Sequence, residues 1–109
     1  MSQHGLELYV PRQHKAYAKK MLKEEWNYEC AYCGIKERHK ELTLDHIIPI
    51  KKGGDDSYSN LIPACRSCNL SKGHSGVRQW YFDHEEYSTE RWLKIKNHMN
   101  RKTEDVFAA

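Results

Sequence analysis

Leu44-Asp45-His46-Ile47-Ile48-Pro49, followed by Gly53-Gly54, Asn60-Leu61 and Cys65-Arg66-Ser67-Cys68-Asn69, is the stretch on which the reading of this chain turns. A carboxylate and an imidazole stand side by side in an apolar run rich in strand-forming residues, which predicts a strand from about Leu42 to Ile48. Gly53-Gly54 and two aspartates mark a loop over 51–59. Leu61-Ile62-Pro63-Ala64 then reads as a short second strand, which Pro63 confines to an edge or an end. Arg66 to Lys72 reads as a helix that Gly73 is placed to stop. Strand, loop, strand and helix thus carry the residue types needed for metal-assisted hydrolysis of a phosphodiester.

The helix begins inside a second pattern. Cys30-Ala31-Tyr32-Cys33 and Cys65-Arg66-Ser67-Cys68 are both Cys-x-x-Cys and use all four cysteines. Two intervening residues let both sulfurs reach one tetrahedral Zn²⁺ at about 2.3 Å, and two such loops close a four-sulfur shell. A closed shell has no open position for water or substrate, so this zinc is expected to be structural. Gly34 suits a tight knuckle after Cys33. Disulfides fit less well, since the chain opens Met-Ser-Gln-His-Gly without a charged-then-apolar leader. A redox dithiol needs one pair beside a βαβ pattern, which the sequence lacks.

The 109 residues predict a single domain, 1–109, near the lower end of the size at which a core suffices alone, so a zinc staple makes sense. No apolar run is long enough to span a bilayer; a cytoplasmic protein with no membrane partner is expected. The formal charge of +3 argues weakly for nucleic acid. Its distribution says more: Lys15, Lys19, Lys20 and Lys23 precede the first knuckle, Lys51 and Lys52 follow the Asp-His pair, and Arg66, Lys72 and Arg78 surround the end of the second. Flanking helices are expected over about 13–26, with Tyr17, Met21 and Leu22 packing, and over about 76–101. The latter divides in two, with Ser75 capping Val77, Trp80 and Tyr81, and Ser88 capping Trp92, Ile95 and Met99. The fold class is α+β: a two-stranded antiparallel hairpin plus helix, stapled by a four-cysteine zinc site, with one N-terminal and two C-terminal helices.

On a regular strand Asp45 and His46 point to opposite faces, so joint duty requires a bend or bulge between them. Asn69 falls in the first helical turn with Lys72 on the same face, and a helix docked across the hairpin brings Asn69 towards Asp45. A carboxylate and a carboxamide oxygen are donors that Mg²⁺ or Mn²⁺ prefers, leaving His46 free as a general base. Asn60 reads locally as a turn residue. Tyr32 reads as packing, and His39, His74, His84 and His98 read as surface histidines.

Asp45-His46, Asn60 and Cys-x-x-Cys-Asn69 together resemble the HNH endonuclease family of the ββα-metal fold, in its branch with a four-cysteine zinc site. The resemblance spans about Tyr28 to Gly73. It implies His46 as general base, Asp45 as the metal-binding acid, Asn60 as the residue that pins the loop behind the base, and Asn69 as a metal ligand where many members carry histidine. It also implies a DNA endonuclease, nicking or cutting both strands and leaving 5′-phosphate and 3′-hydroxyl ends. Mg²⁺ or Mn²⁺ would be the catalytic ion and zinc the structural one, with Lys72 as a phosphate contact. The expected partner is double-stranded DNA read with low sequence specificity, by a monomer or homodimer of bacterial or phage origin. The competing class is a zinc-stapled nucleic-acid-binding module without catalysis.

Overall fold

The computed structural model describes residues 14–101. Helix α1 (Lys15–Glu25) leads through the first cysteine knuckle to strand β1 (Leu42–His46). A loop holding two single 3₁₀ turns, Ile50–Lys52 and Tyr58–Asn60, leads to β2 (Leu61–Cys65). Then follow α2 (Arg66–Lys72), α3 (Val77–Phe82) and α4 (Thr89–Met99). The α+β architecture is as the sequence predicts: a two-stranded antiparallel hairpin with helices around it. Gln13, where the first helix was expected to begin, lies outside the described residues. Among the described residues, no helix is long and apolar enough to cross a membrane.

The register pairs Leu42 with Cys65, Leu44 with Pro63, Asp45 with Ile62 and His46 with Leu61. No bulge interrupts it between Asp45 and His46, so the expected irregularity is absent and the two side chains leave opposite faces of the sheet. The strand is shorter than the apolar run suggested. Beyond His46 one backbone bond remains, from the Ile47 amide to the Asn60 carbonyl at 2.8 Å, and then a side chain takes over: Ile48 donates its amide to Asn60 Oδ1 at 2.8 Å, and Asn60 Nδ2 donates to the Ile48 carbonyl at 3.1 Å. Pro63 sits mid-strand at no cost to the ladder. Its carbonyl accepts from Ala31 at 2.9 Å, so its amide position faces the knuckle and away from β1.

Each face of the hairpin has its own cover. On the α1 side, Leu44 and Leu61 pack with Ala18, Leu22 and Tyr58. The helix buries the i, i+4 pair Ala18 and Leu22, while Tyr17, about 100° round the helix from Ala18, is exposed rather than packed. On the α2 side lies the larger core, with Tyr32, Ile62, Ala64, Val77, Tyr81 and Ile95 among its members. Gly73 ends α2 with φ +54°, and Ser88 Oγ caps α4 by accepting from the Arg91 amide at 3.2 Å. Ser75 does not cap α3, whose N-terminal boundary falls at Gly76. His98 is not a surface residue: it is buried and its Nε2 donates to the carbonyls of Tyr58 and Leu61, both at 2.9 Å, fastening α4 to the loop before β2.

Candidate functional site

The four sulfurs of Cys30, Cys33, Cys65 and Cys68 lie within 4.8 Å of one another, and none is in a disulfide. Cys33 Sγ and Cys65 Sγ are 3.9 Å apart. Four thiolates about a tetrahedral ion at ~2.3 Å would stand ~3.8 Å apart, so the cluster fits one such metal ion. A hydrogen bond from Cys68 draws the Cys30 thiol down to about 5, while the same contact pushes Cys68 up. Burial lifts Cys33 to about 11. His84, expected at the surface, is half-buried beside the cluster. Its Nδ1 accepts from the Glu86 amide at 2.9 Å, which puts the ring proton on Nε2, 3.5 Å from Cys68 Sγ.

Asp45 is 6% exposed, on the face covered by α2 and the first knuckle. Tyr32 donates its hydroxyl to Asp45 Oδ2 at 2.6 Å, and Lys72 Nζ lies 3.2 Å from the same oxygen and 3.5 Å from Oδ1. Burial raises the Asp45 carboxyl above its usual range, against the opposing pull of Lys72 and Tyr32. Lys72, which the family resemblance implied as a phosphate contact, is turned inward onto Asp45. It is 1% exposed and also donates to the His46 carbonyl at 2.9 Å, because the last turn of α2 packs onto β1 and leaves its ammonium no route to solvent. A buried lysine must be paired, and here the pairing ties the helix to the strand end.

Asn69 lies on the same side of the sheet, one residue pair further up β1. Its Nδ2 donates to Thr43 Oγ1 at 3.3 Å, and Thr43 Oγ1 in turn donates to the Ala64 carbonyl at 3.2 Å. Asn69 is thus beside Thr43 rather than hydrogen-bonded to Asp45. It lines an open groove of about 560 Å³ with Lys40, Thr43, Arg66 and Leu70. A larger groove of about 860 Å³ passes over the sulfur cluster, but Asp83, Glu85 and Glu86 on its walls make it poorly suited to phosphate.

His46 emerges on the α1 side with its side chain 30% exposed. Its Nε2 is 2.7 Å from Asp56 Oδ1, and Lys15 Nζ donates to that same oxygen at 3.2 Å. The hydrogen bonds from His46 and Lys15 hold the Asp56 carboxyl below its ordinary range, so it is an ionised acceptor near neutrality. In the neutral form of the ring that bond places the proton on Nε2 and makes Nδ1 the acceptor nitrogen, without a hydrogen-bond partner among the described residues. Asp56 escaped the sequence reading; its only signal is the Asp55-Asp56 pair after Gly53-Gly54, and loop closure is what brings it to His46.

Asn60 makes the loop that carries Asp56. Besides its two bonds to Ile48, its Nδ2 donates to the Asp55 carbonyl at 2.9 Å. The crossing is so close that a Cβ on Gly54 would stand 1.7 Å from the Ile48 carbonyl oxygen, which explains the glycine. Asn60→Ala strands several buried or half-buried backbone groups and is expected to cost about 1–3 kcal/mol in urea unfolding.

A hairpin ending in Asp-His, a pinned loop, and a helix that begins at the second cysteine pair are therefore held in one unit. The HNH endonuclease family model matches residues 30–75. Residues 30–75 belong to the HNH endonuclease family. The HNH segment is accompanied by wider similarity. The SPbeta prophage-derived protein YoqL of Bacillus subtilis, whose name includes HNH endonuclease, is 39% identical over 92 residues, 76% of this chain and 40% of that protein. The CRISPR-associated endonuclease Cas9 of Corynebacterium diphtheriae is 36% identical over 55 residues, covering 50% of this chain and 5% of its own length. Cas9 of Actinomyces naeslundii is 35% identical over 52 residues, 47% of this chain and again 5% of its own. This chain thus spans less than half of each of these relatives.

Proposed function

We propose that this chain is a metal-dependent DNA endonuclease whose HNH segment hydrolyses phosphodiester bonds to 5′-phosphate and 3′-hydroxyl ends. The observation that carries the proposal is the end of the hairpin: Asp45 and His46 are successive residues there, the first under α2 on the sheet face where Asn69 meets Thr43, the second an imidazole held by a carboxylate. A regular strand sends them to opposite faces, but a two-stranded sheet is narrow at its end. A phosphate seated against that end, rather than over one face, is within reach of both.

The donor set fits a hard divalent ion. Asp45 offers a carboxylate whose Oδ2 is taken by Tyr32 and Lys72, leaving Oδ1 with only a 3.5 Å contact to Lys72. Asn69 spends its amide nitrogen on Thr43 and keeps its carbonyl oxygen to offer. One charged and one neutral oxygen, with water for the rest, suit Mg²⁺ or Mn²⁺ better than a thiolate-loving metal. Bound there, the ion supplies Lewis-acid stabilisation of charge on the scissile phosphate and the departing 3′ oxygen.

His46 takes a proton from the attacking water at Nδ1, and Asp56 steadies the imidazolium that results. Asn60 keeps the loop bearing Asp56 in register with the strand end. Lys51 and Lys52, exposed just past His46, and Arg66 at the Asn69 groove provide cationic ground for the backbone on either side. Contacts of this kind go to the phosphate backbone and carry no sequence information, and the proposed partner is double-stranded DNA read with low sequence specificity. The cysteine cluster holds structural zinc. A single active site cuts one strand at a time, so double-strand breaks require a homodimer or successive nicks.

Relaxation of supercoiled plasmid tests the reading. Cleavage is expected with Mg²⁺ or Mn²⁺ and none with EDTA, and 3′-hydroxyl ends should support polymerase extension without phosphatase treatment. Asn69→Asp is expected to retain cleavage while Asn69→Ala loses about 10- to 100-fold, because the first keeps an oxygen donor and the second removes it. DNA binding without metal-dependent cleavage would instead identify a zinc-stapled binding module.

A further inference from the structure

We propose that Tyr32 is a positioning residue that fastens Asp45 to the four-cysteine cluster, so that the structural metal site sets which carboxylate oxygen is presented to the catalytic ion. The inference rests on the assignment of Asp45 as a metal ligand proposed above.

Tyr32 stands between Cys30 and Cys33 in the first knuckle, and both of those sulfurs belong to the cluster. The knuckle backbone is bound to the hairpin through the Ala31 amide and the Pro63 carbonyl at 2.9 Å. The Tyr32 ring is wholly buried, edge-on to Trp80 at 4.9 Å and to Tyr81 at 5.5 Å between centroids. Tyr81 also donates its hydroxyl to the Tyr32 carbonyl at 2.6 Å. Backbone and ring are thus both fixed, and the phenol is a rigid strut from the cluster to Asp45. At 2.6 Å its hydrogen bond lies in the short range expected when a hydroxyl donates to a carboxylate.

The strut resolves an ambiguity that a carboxylate otherwise retains, because two equivalent oxygens exchange by rotation about one bond. Tyr32 and Lys72 both lie nearest Oδ2, which leaves Oδ1 as the less engaged oxygen on a side chain that can no longer turn freely. Hydrogen bonds that orient a metal-binding carboxylate are commonly worth 10- to 100-fold in metal affinity. The zinc cluster is then more than a staple, since its geometry reaches the catalytic ion through one side chain.

Tyr32→Phe keeps the buried ring and deletes the hydroxyl. Zinc content by colorimetric release and Mn²⁺ binding by electron paramagnetic resonance are to be measured on zinc-loaded wild type, Tyr32→Phe and Asp45→Ala. The expected result is one zinc per chain in Tyr32→Phe, with Mn²⁺ affinity weakened about tenfold or more. The Mn²⁺ concentration giving half-maximal plasmid cleavage should rise in parallel, with most of the rate restored at saturation. Wild-type Mn²⁺ affinity in Tyr32→Phe alongside lost affinity in Asp45→Ala overturns the role of Tyr32 and leaves the nuclease assignment standing. Unchanged affinity in both variants overturns the assignment of Asp45 itself. Loss of zinc from Tyr32→Phe overturns the proposal in favour of a purely structural phenol.

Discussion

His46→Ala is expected to reduce plasmid cleavage by about 10²- to 10⁴-fold, the span over which a positioned general base contributes. Zinc content and thermal midpoint should stay near wild type, since the imidazole is 30% exposed and loses only its contact with Asp56. Metal affinity should also hold, because His46 lies on the face opposite Asp45 and Asn69. Asp56→Ala should show a smaller loss, about tenfold, that appears in the rate rather than in the metal requirement, as fits a residue that acts through another. Nitrogen shifts of the neutral ring would read the same contact directly: Nε2–H should dominate in wild type and lose its dominance in Asp56→Ala. Full activity in His46→Ala would remove the proposed base from the mechanism.

Stripping the cysteine cluster of its ion is expected to abolish the cooperative unfolding transition altogether. Structural Zn²⁺ in small domains contributes about 10–16 kcal/mol of apparent binding free energy that is also folding free energy. Whole domains are stable by only about 5–15 kcal/mol. Here all four cysteines belong to the larger core or pack against it, with Trp26, Tyr32, Leu42, Ile62 and Tyr81, and the second cluster, Ala18, Leu22, Tyr58 and Leu61 under α1, is too small to hold the fold by itself. Cys65→Ser and Cys68→Ser should behave alike, since the first joins β2 to α2 and the second anchors α2. Near-ultraviolet circular dichroism and tryptophan fluorescence during chelation would follow the loss. An unchanged melting curve in protein carrying less than about a tenth of an ion per chain would show that the thiols pack without metal and that the staple is dispensable.

Some of this was legible because it is local. Two Cys-x-x-Cys loops announce a shared ion through spacing, and the sulfurs do converge. Gly73 stops α2 with a left-handed residue and Ser88 caps α4, because such ends depend on one residue and its neighbours. The helix read over 66–72 has those bounds in the structure. The end of β1 was not legible in this way, since Asn60, 12 residues on, takes over the hydrogen bonds of Ile48. That exchange occurs across a closed loop, and periodicity within the strand does not register it.

The misread residues share a different property: their partners are remote in sequence. Lys72 resembles an ordinary solvent lysine at a helix end, yet it is buried against Asp45, 27 residues away. Tyr32 looks like packing, and only the fold shows its hydroxyl on a carboxylate 13 residues on. His98 passes for a surface residue until α4 docks on the loop before β2, 37 residues from its carbonyl partner at Leu61. Composition gives no hint of such pairings, because burial of a polar group is decided by which elements happen to cover it.

The sequence alone pointed to the family, the two cysteine loops, the strand-loop-strand-helix order, and Asp45, His46, Asn60 and Asn69 as the proposed site residues. These rest on residue type and spacing, which the covalent chain fixes. Tertiary structure decided the rest: that the strand runs straight through Asp45 and His46, that the two therefore leave opposite faces at the hairpin's end, and that Tyr32, Lys72 and Asp56 are their holders. A side chain's face is set by the pleat, but what meets it there depends on long-range packing, which spacing along the chain does not encode.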